Sequence, residues 1–150
     1  MRFLVLHGPN LNLLGSREPD VYGRSTLVDV NERLIAKAKS SGHNVEVFQS
    51  NHEGELIDKL QEASREYGGA FDGVVFNPGG FTHTSVAIRD AIASLDVPVV
   101  EVHLSNIYAR EEFRHHSLIS AVCAGVVSGF GVASYLLGLD ALIAIKEGTT

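Results

Sequence analysis

Cysteine and lysine are scarce in this sequence, and both shortages limit what the chain can do. Among its 150 residues there is one cysteine, Cys123, so an internal disulfide framework cannot form. Cys123 lies in an apolar stretch, for which we expect a buried thiol. The lysines all fall in predicted helices or in the tail, at Lys37, Lys39, Lys59 and Lys146. Their positions exclude a Schiff-base lysine at a strand end.

Long apolar runs and positive net charge are also lacking. No apolar run reaches membrane-spanning length, and no leader-like segment precedes the first predicted strand, so we expect a cytoplasmic protein with no membrane partner. The formal net charge is −6, whereas nucleic-acid-binding proteins usually carry a basic surface, so we expect no nucleic-acid partner. The length and an apolar content of 45% predict a single globular domain over 1–150.

Positive charge is nevertheless concentrated where loops and strand ends are predicted. The arginines found there are Arg17, Arg24, Arg89, Arg110 and Arg114. Guanidinium groups bind carboxylates and phosphates with two parallel hydrogen bonds. This distribution predicts a small anionic ligand in an otherwise acidic protein.

Apolar runs typical of strands alternate with helical patterns five times. The predicted strands cover 3–6, 44–49, 73–76, 97–103 and 121–129. The predicted helices begin near Ser25 or Thr26, Asn51, Thr84 and Tyr135, and 105–117 are predicted to be irregular or briefly helical. This alternation gives a parallel sheet with helices on both faces. We therefore predict an α/β, flavodoxin-like fold with a doubly wound, five-stranded parallel sheet.

Several helix ends carry capping signals. Thr26 and Asp29 match a capping box at the start of the first helix, and Gly42 matches its end. Asn51 is the predicted cap of the second helix, whose apolar stripe is expected to run to Tyr67. These signals fix where the predicted loops begin and end.

Ligands of doubly wound sheets bind beyond the C-terminal ends of the strands. Three of the predicted ends carry imidazole, amide or hydroxyl groups, within 7–10, 77–83 and 101–105. The segment 8–24, between the first strand and the first helix, is far longer than the usual connection of about two to six residues. Its leucines argue against disorder. We therefore predict a lid at about 8–24 that closes over a site at these strand ends.

Glu101 and His103 are two residues apart in a predicted strand. Residues two apart share a face of the sheet, so the carboxylate can hydrogen-bond the imidazole. A carboxylate within a buried strand needs such a partner. The pairing fixes the tautomer of His103 and favours its protonated form, which predicts a general acid.

The segment Asn77-Pro78-Gly79-Gly80 allows two interpretations. Its glycines alone are typical of a turn. The amides at the start of the following helix could also hold an anion or a carbonyl oxygen. His83, at the opening of that helix, could bind a ligand or cap the helix.

Arg110 and Arg114 are one turn apart if their segment is helical. We predict that Arg110 lies on a solvated face and pairs with Glu111 and Glu112. The two histidines at 115–116 are expected at the surface.

Arg17 and Tyr22 share the predicted lid. A tyrosine is a poor base at neutral pH, but a guanidinium beside it in a closed, partly dry site favours the phenolate. An isolated pair of this kind could equally be an aromatic anchor beside a surface arginine.

Three segments of the chain together resemble the type II 3-dehydroquinate dehydratases. They are GPNLNLLGSREPDVYG at 8–23, FNPGGFTHTSVAIRDA at 76–91 and VEVHLSNIYAREEFRHHS at 100–117, in the family's order and spacing. The resemblance implies a shikimate-pathway hydro-lyase that converts 3-dehydroquinate to 3-dehydroshikimate. Water would leave by anti elimination through an enolate, with no cofactor and no metal.

The resemblance also implies roles for individual residues. Tyr22 would be the base that removes the C2 proton, and Arg17 would favour its ionised form and stabilise the transition state. His103 would protonate the leaving C1 hydroxyl, with Glu101 orienting it. Asn10 would hold a water that stabilises the enolate oxygen.

Substrate binding is implied for a further set of residues: Asn77, His83, Leu104, Ser105, Arg114 and Asp90. The backbone amides of Leu104 and Ser105 would bind the substrate carboxylate. Arg114 would recognise the polar rim of the substrate. Asp90 would reach the site of a neighbouring subunit. The family's assembly implies a homo-oligomer, a dodecamer built as a tetramer of trimers.

Other functions are compatible with the predicted fold. A phosphoacceptor receiver would need carboxylates after the first and third strands, where this chain has asparagines, and a flavin domain would need a Ser/Thr/Gly phosphate loop in place of 8–15. A metal hydrolase could use His7, His83 and His103, but these lack helical ligand spacing and have few carboxylates near them. The sequence favours the dehydratase.

Overall fold

The computed structural model describes residues 1–149, in which five parallel strands form one sheet. The strands are β1 (Arg2–His7), β2 (Asn44–Gln49), β3 (Gly73–Asn77), β4 (Val99–His103) and β5 (Gly125–Ser128). The helices are α1 (Pro19–Tyr22), α2 (Leu27–Ser40), α3 (Glu53–Gln61), α4 (Val86–Ala93) and α5 (Ala133–Glu147). The strand order β2-β1-β3-β4-β5 confirms the predicted flavodoxin-like topology.

The helices cover both faces of the sheet. α2 and α5 pack on one face and contribute Val30, Leu34 and Leu139 to its core, whereas α3 and α4 pack on the other face. Every residue of β3 and β4 is buried. Burial on both faces explains why these strands are nearly continuous apolar runs, and it makes the one charged residue among them, Glu101, conspicuous.

The strand register brings three strand ends to one edge of the sheet. His7 pairs with Asn77, and Phe76 pairs with Glu101, so β1, β3 and β4 end side by side. Residues that follow these strands are therefore neighbours in space, although they are far apart in the sequence.

The capping box at the start of α2 is confirmed. The Thr26 hydroxyl accepts from the Asp29 amide at 3.2 Å, and the Asp29 carboxylate accepts from the Thr26 amide at 2.8 Å. Gly42, with φ 76°, follows the end of the helix as predicted. The buried face of α2 carries Val30, Leu34 and Ala38 at helical spacing.

Two predictions about α3 are wrong. Asn51 does not cap this helix, because its side-chain oxygen instead accepts from the Asn10 amide at 2.9 Å and from the Gln49 side chain at 3.1 Å. The apolar stripe does not reach Tyr67, since α3 ends at Gln61 and Tyr67 lies 63% exposed in a short 3₁₀ turn. The Ser64 side chain caps that turn and separates it from α3.

Other element boundaries also differ from the predictions. α4 begins at Val86 rather than Thr84, because 79–83 form a separate 3₁₀ turn and Ser85 caps the helix. β4 begins after Pro98, which has no amide hydrogen to donate. β5 spans only 125–128, and the preceding Cys123 is partly rather than fully buried. Burial raises the pKa of its thiol to about 12.

Within 1–149, none of the helices is long and apolar enough to cross a membrane.

Candidate active site

A cavity of about 180 Å³ lies at the edge where β1, β3 and β4 end. Nine of the residues to which the resemblance assigns a role line it: Asn10, Arg17, Tyr22, Asn77, His83, His103, Leu104, Ser105 and Arg114. They come from the segments that follow the three strands and from 8–24, which covers the cavity. Residues that are far apart in the chain thus share one pocket.

The floor of the cavity depends on a close backbone contact at Gly8. The Gly8 amide donates to the Asn77 carbonyl at 2.7 Å, and a Cβ on Gly8 would lie 2.4 Å from the Pro78 oxygen. Asn77 is buried, and its side-chain oxygen accepts from the Gly79 amide at 3.1 Å. Only glycine lets the segments after β1 and β3 lie this close.

Glu101 and His103 form a buried pair on one side of the cavity. The His103 Nε2 donates to Glu101 Oε1 at 2.6 Å, and Glu101 is fully buried behind the imidazole. The carboxylate also accepts hydrogen bonds from Ser117 and Ser120. Burial alone would raise the pKa of Glu101, but the hydrogen bonds from His103 and the two serines outweigh it and lower the pKa. Glu101 is therefore ionised at neutral pH.

The structure contradicts the predicted solvated position of Arg110. Instead of lying on a solvated face, its side chain is only 14% exposed and its Nη1 donates to the Tyr22 hydroxyl at 2.7 Å. The expected ion pair with Glu111 is present but long, with 3.8 Å between Arg110 Nε and Glu111 Oε2. The Arg17 guanidinium carbon lies 5.6 Å from the Tyr22 ring centroid. Within 1–149, the side chain that donates a hydrogen bond to the Tyr22 hydroxyl is that of Arg110 and not that of Arg17. Sequence spacing does not reveal the Arg110 contact because 107–109 and 112–114 are short 3₁₀ turns, whose side-chain directions cannot be read from helical periodicity.

Arg114 and His83 also line the cavity. Arg114 Nε donates to Glu111 at 2.8 Å. His83 Nδ1 donates to the His116 carbonyl at 2.8 Å, which leaves Nε2 as an acceptor. Burial lowers the pKa of His83, and the charge of Arg114 acts in the same direction. A neutral His83 can therefore accept a hydrogen bond from a ligand hydroxyl.

His7 does not belong to the cavity, although it ends β1. Its side chain is fully buried, with Nδ1 2.8 Å from the Tyr135 hydroxyl and Nε2 2.9 Å from the Asn31 side-chain oxygen. Burial lowers the pKa of His7 to about 4. Of the three histidines of the metal-hydrolase alternative, His7 is thus separated from His83 and His103. Within 1–149, no three His, Cys, Asp or Glu side chains form a metal-binding group.

The family model for class II dehydroquinases matches residues 1–143. The chain belongs to the class II dehydroquinase family. This confirms the resemblance, and the chain is accordingly a dehydratase of the shikimate pathway, a hydro-lyase. It is 58% identical to the 3-dehydroquinate dehydratase of Acaryochloris marina over 93% of this chain and 91% of the relative. It is 59% identical to that of Desulforudis audaxviator over 95% and 93%.

A solved class II dehydroquinase has the same fold. The crystal structure of the type II dehydroquinase from Butyrivibrio crossotus superposes with a TM-score of 0.92 at 46% identity. The match covers 95% of this chain and 97% of that one. The parallel sheet and its covering helices are therefore common to both proteins.

Two predicted residues of this class II dehydroquinase lie outside the cavity. Glu101 sits behind His103, as described above. Asp90 is exposed on α4 and lines a shallow groove between α3 and α4, where its neighbours include Gln61 and Leu95. Asp90 therefore does not contact the cavity of its own chain.

Proposed function

We propose that the cavity catalyses the anti elimination of water from 3-dehydroquinate, with a tyrosinate base and a histidine general acid. The observation that carries the proposal is that Tyr22 and His103 line one cavity, each beside a group of opposite charge. Elimination needs a base and an acid that both reach one ring, and a positive field for the anionic substrate. Arg17, Arg110 and Arg114 supply that field in an otherwise acidic protein.

Tyr22 removes the C2 proton in this mechanism. Using a tyrosine as a base near neutral pH requires about 4 kcal/mol of preferential phenolate stabilisation. One charge-assisted hydrogen bond supplies roughly 1.5–3 kcal/mol. The bond from Arg110 is therefore insufficient by itself, and the charge of Arg17 supplies the remainder while also stabilising the transition state.

His103 gives its proton to the leaving C1 hydroxyl, which departs as water. Because Nε2 is engaged with Glu101, the proton comes from Nδ1. The C2 proton ends on the Tyr22 oxygen, and the proton of His103 leaves with the water. The enzyme returns to its starting state when Tyr22 releases one proton to solvent and His103 takes one up. The enolate oxygen is stabilised by a water that Asn10 holds; Asn10 lies at the rim of the cavity with φ 69°.

Five further residues bind the substrate. Its carboxylate meets the amides of Leu104 and Ser105, Arg114 binds its polar rim, and Asn77 and His83 hydrogen-bond its hydroxyl groups. All five line the cavity. Residues 1–150 form one catalytic domain, and 8–24 are its lid.

We expect Tyr22→Phe to lower kcat by roughly 10²–10⁴-fold while binding is largely retained, because the ring remains and only the proton acceptor is lost. To measure kcat, the purified chain is mixed with 3-dehydroquinate in the presence of a chelator. The ultraviolet absorbance of the conjugated enone product is then followed over time. Tyr67→Phe is the matched control, since Tyr67 is exposed and lines no part of the cavity. Near-full activity of Tyr22→Phe would show that another group is the base.

We also propose that the chain assembles as a dodecamer, a tetramer of trimers, in which Asp90 completes a neighbouring site. Support comes from the family resemblance and from the position of Asp90, exposed and outside its own cavity. Val86, one turn before Asp90 on α4, is a large apolar side chain that is 58% exposed, as expected for a residue at an interface.

We expect Asp90→Ala to lose activity and to regain it on reassembly with Tyr22→Phe, because a mixed assembly joins an intact Tyr22 to a neighbour's Asp90. Light scattering measures the assembly size, and Asp58→Ala serves as an exposed acidic control on α3. A monomer with full activity would refute the assembly. If mixing the two variants did not restore activity, Asp90 would act within its own subunit.

A further inference from the structure

Glu101 is an ionised carboxylate in the middle of a buried strand. It pairs with Phe76 of β3 on one side and with Val126 of β5 on the other, and it is 0% exposed. A carboxylate removed from water takes up a proton unless hydrogen-bond donors replace the water. His103 donates a hydrogen bond to only one oxygen of the Glu101 carboxylate, so other donors must replace the remaining hydrogen bonds that water would make.

The donors are two serine hydroxyls from the segment that precedes β5. Ser120 Oγ donates to Oε2 at 2.6 Å, and Ser117 Oγ lies 3.0 Å from Oε1 and 3.3 Å from Oε2. Both carboxylate oxygens therefore have a donor besides the imidazole. Neither serine lines the cavity, and the mechanism proposed above does not use them.

The backbone fixes the direction of the Ser117 hydroxyl. Its oxygen accepts from the amides of Ile119 at 3.1 Å and Ser120 at 3.0 Å, so both lone pairs are occupied and its hydrogen is left for the carboxylate. The segment is itself anchored, because the Leu118 amide donates to Thr82 and its carbonyl accepts from Arg89. The hydroxyl is thus held as a donor before any ligand arrives.

We propose that Ser117 and Ser120 are positioning residues that keep Glu101 ionised and aimed at His103 Nε2, so that His103 presents a protonated Nδ1 to the substrate. The inference rests on the proposed function. Were Glu101 protonated, it would donate its own proton to Nε2, and the donor left to the substrate would be a neutral imidazole, a far weaker acid. The serines therefore act on the proton-transfer step and not on substrate binding.

The test is the pH profile of Ser120→Ala and of the double variant Ser117→Ala/Ser120→Ala. We expect kcat at neutral pH to fall about tenfold for each donor lost, with KM little changed. The acid limb of the kcat profile should move to higher pH, because an ionised carboxylate with fewer donors protonates more easily. Other titratable groups near Glu101 are His103, His83 and Cys123, and all are unaltered in these variants.

Two control variants separate positioning from folding. Ser120→Thr keeps the hydroxyl and should restore the wild-type acid limb. Ser64→Ala removes a buried serine that donates to the Asp96 carboxylate, away from the cavity, and should leave the profile unchanged. An unchanged acid limb in a folded Ser120→Ala variant would overturn the proposal, as would a shift that Ser64→Ala reproduces.

A second readout does not need the reaction. The carboxyl ¹³C signal of Glu101, assigned by its loss in Glu101→Gln, is followed by NMR as pH is varied. Its titration should move to higher pH in Ser120→Ala. If the wild-type chain lacks dehydratase activity but this shift is seen, the proposed function fails and the positioning role stands. If activity is present and the carboxyl titration does not move, the positioning role fails alone.

Discussion

The contact between Arg110 and Tyr22 bears on how the proposed base could be activated. Arg110 donates directly to the phenol oxygen and is mostly buried, whereas Arg17 approaches the ring from 5.6 Å with a side chain that is 37% exposed. Charge-assisted hydrogen bonds strengthen as water is excluded, and exposed charges are screened. Arg110 should therefore stabilise the phenolate more than Arg17 does.

We expect Arg110→Met to lower kcat about a hundredfold, and Arg17→Met to lower it less, because only the first removes a hydrogen bond to the reacting oxygen. Steady-state kinetics at neutral pH provide the measurement. Arg65→Met is the control, since Arg65 is exposed and pairs with Asp72 away from the cavity. The reverse order of the two losses would assign phenolate stabilisation to Arg17.

Side-chain direction decides which of these residues the sequence can predict. The pairing of Glu101 with His103 is predictable because positions two apart in a strand share a face. The same rule places His7 with Phe3 and Val5 on the face that α2 and α5 cover, where Tyr135 and Asn31 hold its side chain. Arg110 offers no such signal, because its segment has neither helical nor strand periodicity.

At the scale of elements, the site depends on how closely two loops approach. A Cβ at position 8 would meet the Pro78 oxygen at 2.4 Å and the Pro78 carbon at 2.5 Å. These are backbone atoms, so no side-chain rotation can relieve the overlap. The loops must separate instead, and they carry Asn10 and Asn77.

We expect Gly8→Ala to destabilise the fold by about 1–3 kcal/mol and to lower kcat/KM, because the two loops would be pushed apart. Gly54→Ala is the matched control: a Cβ at this position in α3 would have no other atom within 4 Å, and alanine favours a helix by up to about 1 kcal/mol. Urea unfolding and steady-state kinetics measure both effects. A stable, fully active Gly8→Ala would show that the contact is not needed.

Element boundaries are less predictable than the elements themselves. Asn51 has the composition of a cap, but tertiary hydrogen bonds to Asn10 and Gln49 take its side chain. Tyr67 continues a helical stripe in sequence, yet Ser64 starts a new turn before it. In both cases a partner that is distant in the sequence, or a competing cap, outweighs a local preference.

At the scale of the whole molecule, alternation of strands and helices is enough to predict the topology. Right-handed crossovers and coverage of both sheet faces leave few arrangements for five parallel strands, and the observed order is one of them. The strand-end rule then locates the cavity, because β1, β3 and β4 end at the same edge. The proposed assembly and lid depend on surfaces and energies that neither rule describes.

The folded molecule also carries a buried group that couples its stability to pH. His7 is held neutral between Tyr135 and Asn31, with its pKa lowered to about 4 by burial. Between pH 6.5 and about 4 the unfolded chain binds a proton at this position and the folded chain does not. Its contribution to stability is therefore complete above pH 6.5 and is lost as the pH falls toward 4.

We expect the free energy of unfolding to fall by about 3 kcal/mol from this group between pH 6.5 and 4, as the shift of His7 implies. His7→Gln should flatten that part of the curve, because glutamine does not titrate, while lowering stability at pH 7 through the altered buried contacts. His52→Gln, at an exposed position before α3, should leave the slope unchanged. Urea unfolding at several pH values and one protein concentration measures the slope, and an equal slope in His7→Gln and the wild type would exclude His7 as its source.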